Sequence, residues 1–135
     1  MCVRLPSRRT WRHQGICRGG KILTAAQAKD LVGKAHFFDM RRAANYGRGH
    51  IPGAVALPYD QKSTLSVDFD ASLDRFDLAQ LPADKGAAVV FYSDGPTGWK
   101  SYKAAVLAIR AGYTNVMWFR GGTAEWRAAG YAFAQ

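Results

Sequence analysis

The sequence predicts an α/β domain in which a parallel sheet is covered by helices on both faces. Short, wholly apolar runs such as 87–92 alternate with segments of helical periodicity. Strands of a parallel sheet are buried on both faces, so they read as continuous apolar runs and do not alternate with polar residues. Glycines and prolines separate the runs as turns. At 135 residues the chain is one domain by length, large enough to bury a core.

The first predicted elements lie between residues 24 and 46. A capping box that begins at Thr24 predicts a short helix over 25–32, which Gly33 terminates. The apolar run 37–40 contains a carboxylate near its end, which suits a buried strand whose C-terminal end carries a polar group. Residues 42–46 are expected to form one or two helical turns.

The second half of the chain alternates strands and helices more regularly. Residues 54–58 are a predicted strand closed by a proline. The connection 59–82 has weak periodicity, and its apolar residues predict one small helix containing Leu73, Phe76, Leu78 and Leu81. The remaining predicted elements are a strand at 87–92, a helix at 100–111, a strand at 115–119 and a helix at 122–129.

Ser93 follows the strand predicted at 87–92, and a helix begins near Trp99. A strand, a short loop and a helix N-terminus form an anion cradle, because the first helical N–H groups have no partner within the helix. Ligands of parallel sheets bind at the C-terminal strand ends, where both Asp39 and Ser93 fall. The candidate reactive group is the Ser93 hydroxyl. The candidate anion-binding loop comprises Asp94, Gly95, Pro96, Thr97, Gly98, Trp99 and Lys100.

The net charge of +9 is concentrated at the start of the chain, where residues 1–20 carry five arginines and no acidic residue. We interpret residues 1–20 as a disordered basic extension, or as the result of a misplaced start codon, and residues 21–135 as the folded domain. Nucleic-acid binding by the extension is the alternative that we disfavour. Cys2 and Cys17 lack a metal-ligand spacing, so no zinc site is expected.

Two groups of motifs carry a resemblance to a known family. The first is Phe38-Asp39-Met40-Arg41, followed by Tyr46 and the turn Gly49-His50-Ile51-Pro52-Gly53-Ala54. The second is Ala111-Gly112-Tyr113-Thr114-Asn115-Val116 with Gly121-Gly122-Thr123-Ala124-Glu125-Trp126. In this order and spacing they resemble the rhodanese (thiosulfate sulfurtransferase-like) domain over residues 21–133. The resemblance implies about five mostly parallel strands with helices on both faces.

The resemblance also implies a catalytic cysteine, which accepts a sulfane sulfur at the end of the strand 89–92. Ser93 stands at that position, and Gly98 stands where some members have a second cysteine. An alcohol resists ionisation by roughly 10 kcal/mol more than a thiol, whereas a helix dipole supplies only about 0.3–2 kcal/mol. Ser93 would therefore need a general base, and none of the three histidines is placed to act as one.

Three further pairs of residues are candidates for supporting roles: Asp39 with Arg41, Lys100 with Arg120, and Trp99 with Tyr102. The first pair either orients a ligand or has a structural role, and we favour the structural role, in which the carboxylate closes a local backbone network or forms an ion pair. The second pair either attracts an anion or is solvated surface charge. The third pair forms an aromatic wall beside the loop or packs within the domain.

We expect a non-catalytic role, in which the loop from Ser93 to Trp99 binds a small anion, a sulfur-carrying partner or a regulatory protein. The alternative is an active sulfurtransferase that uses a cysteine from the extension, from another subunit or from a partner. A bare fold that serves as an interaction module is a third possibility. No cofactor or metal is expected. No apolar run is long enough to span a membrane and residues 1–20 lack a secretory signal, so we expect a cytoplasmic protein.

Overall fold

The computed structural model describes residues 20–95 and 97–135. Its centre is a five-stranded sheet in the order β1-β5-β4-β2-β3, and every pairing between strands is parallel. The strands are β1 (Gly20–Ile22), β2 (His36–Asp39), β3 (Val55–Ala56), β4 (Val89–Tyr92) and β5 (Val116–Phe119). The helices are α1 (Ala25–Leu31), α2 (Ala43–Arg48), α3 (Trp99–Arg110) and α4 (Gly122–Ala128). The predicted α/β class is confirmed.

Helices cover both faces of the sheet, which is why the strands lack polar alternation. Every residue of β4 and β5 is buried. Alternate side chains of β4 point to opposite faces, so Val89 and Phe91 pack with α3 in one apolar cluster. Val90 and Tyr92 pack with residues of α1 and α4 in the other cluster. None of the helices in the described part of the chain is long and apolar enough to cross a membrane.

Local signals placed most of these elements within one or two residues. The capping box is present, because the Thr24 hydroxyl accepts from the Gln27 amide at 3.2 Å and Gln27 Oε1 accepts from the Thr24 amide at 2.9 Å. The predicted strand at 54–58 shortens to the two residues of β3. The residues after β3 still bond to the end of β2 and to the residue that follows it, through Leu57 N to Asp39 O at 2.9 Å and Tyr59 N to Met40 O at 3.2 Å.

Two parts of the chain differ from the sequence prediction. The strand β1 was not predicted, and Gly20 belongs to it, whereas the rest of the proposed extension lies outside the described residues. The single helix predicted around Leu73 and Leu81 is wrong, because this segment forms two separate 3₁₀ turns, Ala71–Leu73 and Leu78–Gln80. Each turn begins at an aspartate whose carboxylate accepts an amide two residues later, and such local bonds compete with helix propagation.

Asp74, between the two turns, fixes the long connection that leads from β3 to β4. Its carboxylate accepts the hydroxyls of Tyr59 and Ser63, each at 2.6 Å, and the amides of Lys62 and Ser63 at 2.6 and 2.8 Å. Partial burial opposes ionisation, but these hydrogen bonds outweigh it and lower the pKa of Asp74 to about 2. The connection is therefore held by one ionised carboxylate.

Lys103 fastens the same connection to α3. The side chain is fully buried, and its ammonium donates to Gln61 Oε1 at 2.9 Å and to the Ser63 carbonyl at 3.3 Å. The ammonium also lies 5.4 Å from the centre of the Phe69 ring. Burial lowers the pKa of Lys103, and the nearby charge of Asp74 opposes that effect. The helix that follows the candidate loop is thus tied to the connection through buried polar contacts.

Asp74→Asn is expected to destabilise the protein at neutral pH by about 1–3 kcal/mol. The hydroxyl and amide groups that now donate to the Asp74 carboxylate would lose a charged hydrogen-bond acceptor. The folded-state pKa lies below the unfolded value, so this contribution is present above about pH 4 and is lost as the pH falls towards 2. Urea unfolding at pH 7 and pH 3 measures both effects. The variant should lose less stability than the parent protein between the two pH values.

Asp77→Asn is the matched control, because the Asp77 carboxylate accepts only from groups of the second 3₁₀ turn, the Ala79 amide at 3.1 Å and Gln80 Nε2 at 3.2 Å. It should leave the neutral stability within about 0.5 kcal/mol, as is usual for surface changes and as asparagine also caps helical turns. Equal destabilisation by the two substitutions at pH 7 would contradict the role assigned to Asp74.

Candidate functional site

The loop between β4 and α3 contains the predicted site residues, and Ser93 lies at its base. Ser93 is buried at the end of β4. Its side chain faces Gly98, because a Cβ built on Gly98 would lie 3.0 Å from both Cβ and Oγ of Ser93. The loop closes on itself through the Gly98 amide, which donates to the Gly95 carbonyl at 2.8 Å. Thr97 is exposed, and Pro96 lies outside the described residues.

The beginning of α4 forms hydrogen bonds with the first residues of this loop. The Thr123 amide donates to the Ser93 carbonyl at 3.0 Å, and the Ala124 amide donates to the Asp94 carbonyl at 2.8 Å. The Thr123 hydroxyl adds a bond to the Asp94 carbonyl at 3.2 Å. The loop carbonyls thus satisfy N–H groups that α4 cannot satisfy within itself.

Gly122 makes this contact between loop and helix possible. Its φ is +57°, and a Cβ at this position would collide with the carbonyl oxygen of Ser93. A side chain would therefore meet backbone that cannot move without breaking the bonds from Thr123 and Ala124. Glycine is required here for both backbone conformation and space.

The N-terminus of α3 is open on the other side of the loop. Its N-cap is Gly98, which makes no side-chain capping bond, and the first turn contains no acidic residue. Ser101 instead donates its hydroxyl to the Gly98 carbonyl at 3.2 Å and accepts from Trp118 Nε1 at 2.9 Å. The first amides of this twelve-residue helix thus lack the side-chain cap that usually satisfies them, which suits an anion.

Asp39 and Arg41 form a buried ion pair beside the loop. Arg41 Nη2 lies 2.7 Å from Asp39 Oδ2, and Arg41 Nε lies 3.0 Å from Asp39 Oδ1. The Arg41 amide also donates to Asp39 Oδ1 at 2.9 Å, and Nη2 donates to the Gly49 carbonyl at 2.7 Å. This is the ion pair with a local backbone network that the sequence favoured. Burial opposes the charge of Arg41, yet the bonds to Asp39 raise its pKa.

Tyr92, the residue that precedes Ser93, lies near this ion pair. Its hydroxyl accepts the Ile51 amide at 3.1 Å. Burial raises the pKa of Tyr92, and the nearby charge of Asp39 raises it further. The end of β4 is therefore joined to the turn at residues 49–54 through one phenol. The sequence alone does not indicate this role for Tyr92, because an aromatic residue in an apolar run predicts core packing.

The carboxylate of Asp94 turns towards Arg41. Its side chain is 70% exposed, and Oδ1 lies 3.9 Å from Arg41 Nη1. Asp94 belongs to the candidate anion-binding loop, but its charge points away towards this arginine. Lys100 lines a separate concavity of about 500 Å³ with Arg42, Tyr59 and Gln61. The structure thus brings Ser93, Asp94, Asp39 and Arg41 together, and places Lys100 on a different side of the loop.

Trp99 packs within the domain, as one of the two alternatives had it. Its ring meets that of Tyr102 edge to face at a centroid distance of 5.4 Å and contacts the core cluster on the α3 side. Burial raises the pKa of Tyr102 to about 12. The Trp99–Tyr102 pair therefore supports the start of α3. Arg120, another candidate from the sequence, is partly buried and follows β5.

The histidines of the described chain lie away from the Ser93 hydroxyl. His36 is the first residue of β2, at the opposite end of the sheet from Ser93. His50 stacks on Tyr46 with ring centroids 3.9 Å apart, and its Nδ1 lies 3.0 Å from the Tyr46 carbonyl oxygen. Within residues 20–95 and 97–135, no group of three potential metal ligands occurs. Cys2 and Cys17 fall outside the described residues.

Comparisons with known proteins agree with this geometry. The sequence pattern of the Rhodanese-like domain matches residues 24–129. A search of curated proteins found no match. Many solved structures share the fold. Thiosulfate sulfurtransferase from Pseudomonas aeruginosa is 25% identical with a TM-score of 0.61, covering 87% of this chain and 21% of that one.

Two further solved structures extend the likeness. The BH2092 protein from Bacillus halodurans is 20% identical with a TM-score of 0.65, covering 84% of this chain and 76% of that one. RPA3614 from Rhodopseudomonas palustris, described as a protein of unknown function and possible tyrosine phosphatase, is 22% identical with a TM-score of 0.63. That alignment covers 99% of both chains. At these identities the two structures establish the fold alone.

Gly122→Ala is expected to destabilise the fold by more than 2 kcal/mol, because the new methyl group meets the Ser93 carbonyl at a strained positive φ (about 1–2 kcal/mol for the backbone alone). Urea unfolding measures the loss, and the amide signals of residues 93–95 should shift. Gly33→Ala is the matched control, since Gly33 has a φ of +83° but no atom within 4 Å of the added Cβ. Equal losses in the two variants would show that Gly122 has only a conformational role.

Proposed function

We propose that this chain, which belongs to the rhodanese-like domain family, is a non-catalytic member that binds a small anion or a sulfur-carrying partner at the loop from Ser93 to Trp99. The observation that carries the proposal is the open N-terminus of α3 above a buried serine. The resemblance assigns that serine's position to the sulfur-accepting cysteine. The proposed binding site and the position of the missing catalytic thiol are therefore in the same loop.

Catalysis by Ser93 would require a group that activates its hydroxyl. An alcohol at this place requires a general base, because the helix dipole is far too weak to ionise it. His36 lies at the other end of the sheet, and His50 is engaged with Tyr46. A hydroxyl also cannot form and exchange the sulfur–sulfur bond that sulfane transfer uses. The described residues 20–95 and 97–135 contain no cysteine that could replace it.

The partial and full charges around the loop favour anion binding. Its carbonyls at Ser93 and Asp94 are occupied by the amides of α4, so they are not available to repel an anion above the loop. The nearest acidic side chain of the loop, Asp94, turns towards Arg41. The positive end of α3 therefore faces the loop without a side-chain cap to neutralise it. These features favour an anion held by backbone N–H groups.

Ser93→Cys is expected to gain thiocyanate formation from thiosulfate and cyanide, whereas the unmodified protein shows no turnover above background. The cysteine would lie at the helix N-terminus, where thiolates are stabilised. Thr97→Cys is the matched control, because it adds a thiol to the exposed part of the same loop and should remain inactive.

Turnover by the unmodified protein that Ser93→Ala abolishes would contradict the non-catalytic proposal. Turnover that instead survives Ser93→Ala and disappears when Cys17 is replaced would favour the alternative, a cysteine supplied by the N-terminal segment.

Thiosulfate is expected to shift the backbone amide signals of residues 97–101 saturably. Thr97→Asp should weaken this binding by about tenfold, since a carboxylate beside the helix N-terminus competes with the anion for the same amides. Thr97→Asn, which has the same shape without the charge, should have less than half that effect in free energy. Equal weakening by the two variants, or signals that never saturate, would count against an anion site at this loop.

A further inference from the structure

A second concavity lies behind Asp94, on the side of the loop away from Lys100. Its volume is about 400 Å³, which is within the range of small-molecule sites. It lies between α2, α4 and the last residues of the described chain. Three guanidinium groups line it, with one carboxylate, one hydroxyl and one aromatic ring: Arg41, Arg48, Arg127, Asp94, Thr123 and Phe133. We call this concavity the arginine pocket.

The three arginines come from separate parts of the fold. Arg41 follows β2, Arg48 is in the last turn of α2, and Arg127 is in the last turn of α4. Arg48 and Arg127 are exposed to solvent, and each is the basic residue in the last turn of its helix. Their charges and that of Arg41 repel one another where they line one concavity, so a bound anion would relieve this repulsion.

Little negative charge from the protein meets these arginines. Arg48 Nη1 donates to the neutral Asn45 Oδ1 at 2.7 Å, and the Arg127 guanidinium lies 5.1 Å from the centre of the Phe133 ring. Among the described residues, the ion pairs found at the pocket are those of Arg41 with Asp39 and Asp94. Asp39 is matched by Arg41 itself. Asp94 is the one acidic side chain among the described residues that line the pocket, which Gln135 also lines.

Arg41 supplies a fixed donor to the pocket. Its Nε and Nη2 are held by Asp39, and Nη2 also donates to the Gly49 carbonyl, so the guanidinium cannot rotate freely. Nη1 is left facing the pocket, 3.9 Å from Asp94 Oδ1. A donor whose position is fixed before binding loses little entropy when a ligand arrives.

We propose that the arginine pocket binds the dianionic phosphate group of a small phosphate monoester. Guanidinium forks match phosphate oxygens in pairs, and two unmatched arginines beside the fixed Nη1 of Arg41 suit a doubly charged group. The Asn45 side-chain amide adds a neutral donor, and the Phe133 ring provides a surface for the organic part. This site is separate from the α3 amides of the proposed loop function and does not depend on it.

Asp94 sets the affinity of the pocket. Its carboxylate is 70% exposed and makes only a long contact with Arg41, and such pairs contribute little stability. A phosphate entering the pocket would replace this carboxylate beside Nη1 and experience its repulsion. Removal of the Asp94 charge should therefore tighten phosphate binding, although it removes a group that lines the pocket.

Titration with phenyl phosphate at low ionic strength, followed by the backbone amide signals of Asn45, Gly49 and Thr123, tests this proposal. Arg48→Gln and Arg127→Gln should each weaken binding by about tenfold, the loss expected for one charge-assisted contact. Asp94→Asn should tighten binding by about threefold or more. Arg42→Gln is the matched control, because Arg42 lines the other concavity, and it should change the affinity by less than about twofold.

Three results would overturn the proposal. Weakening by Arg42→Gln as large as that by Arg48→Gln would show diffuse attraction instead of a site. Benzoate binding as tightly as phenyl phosphate would remove the preference for a dianion, and equal affinity for inorganic phosphate would remove the role of the organic part. The amide-signal shifts that thiosulfate causes at residues 97–101 test only the loop, and the phenyl phosphate titration tests only the arginine pocket. Failure of one proposal can therefore be distinguished from failure of the other.

Discussion

A buried carboxylate at the end of β2 is the constraint on which the arrangement of this site depends. Asp39 is inaccessible to water, and an ionised group there is tolerated only when each oxygen finds donors within the protein. Arg41 supplies those donors through its amide and its guanidinium, and the guanidinium also donates to the Gly49 carbonyl. The nearby Tyr92 hydroxyl accepts the amide of Ile51 in the same turn. The carboxylate and its neighbours therefore join the ends of two strands to the turn between β2 and β3.

The rigidity of this edge determines what the following loop can do. Tyr92 is fixed, so Ser93 has little freedom, and α4 holds its carbonyl through Thr123. A loop of this kind presents its amides to an anion without reorganisation, which favours affinity. The same rigidity prevents a distant base from reaching the serine. The loop is therefore suited to binding an anion and is not suited to activating the Ser93 hydroxyl.

Elements set by local signals were predictable, and those set by distant partners were not. The capping box at Thr24 and the apolar run of β4 contain their own information, and strand-end reasoning located Asp39 and Ser93 at one edge. By contrast, β1 has three residues with no local pattern and exists through pairing with β5. The Asp74 contacts, the Gly122 approach and the arginine pocket join residues far apart in sequence. The adjacent glycines at 121–122 were the one local hint of a close backbone approach.

The short strand β3 has a consequence for how the sheet meets other chains. Leu57 and Tyr59 direct their N–H groups inward to β2, so the residue between them directs its nitrogen outward. That residue is Pro58, which has no hydrogen to donate. An incoming strand would find only two regular residues and a missing donor at this border. The exposed rim is thus poorly suited to edge-to-edge aggregation, although Val55 leaves an apolar side chain on it.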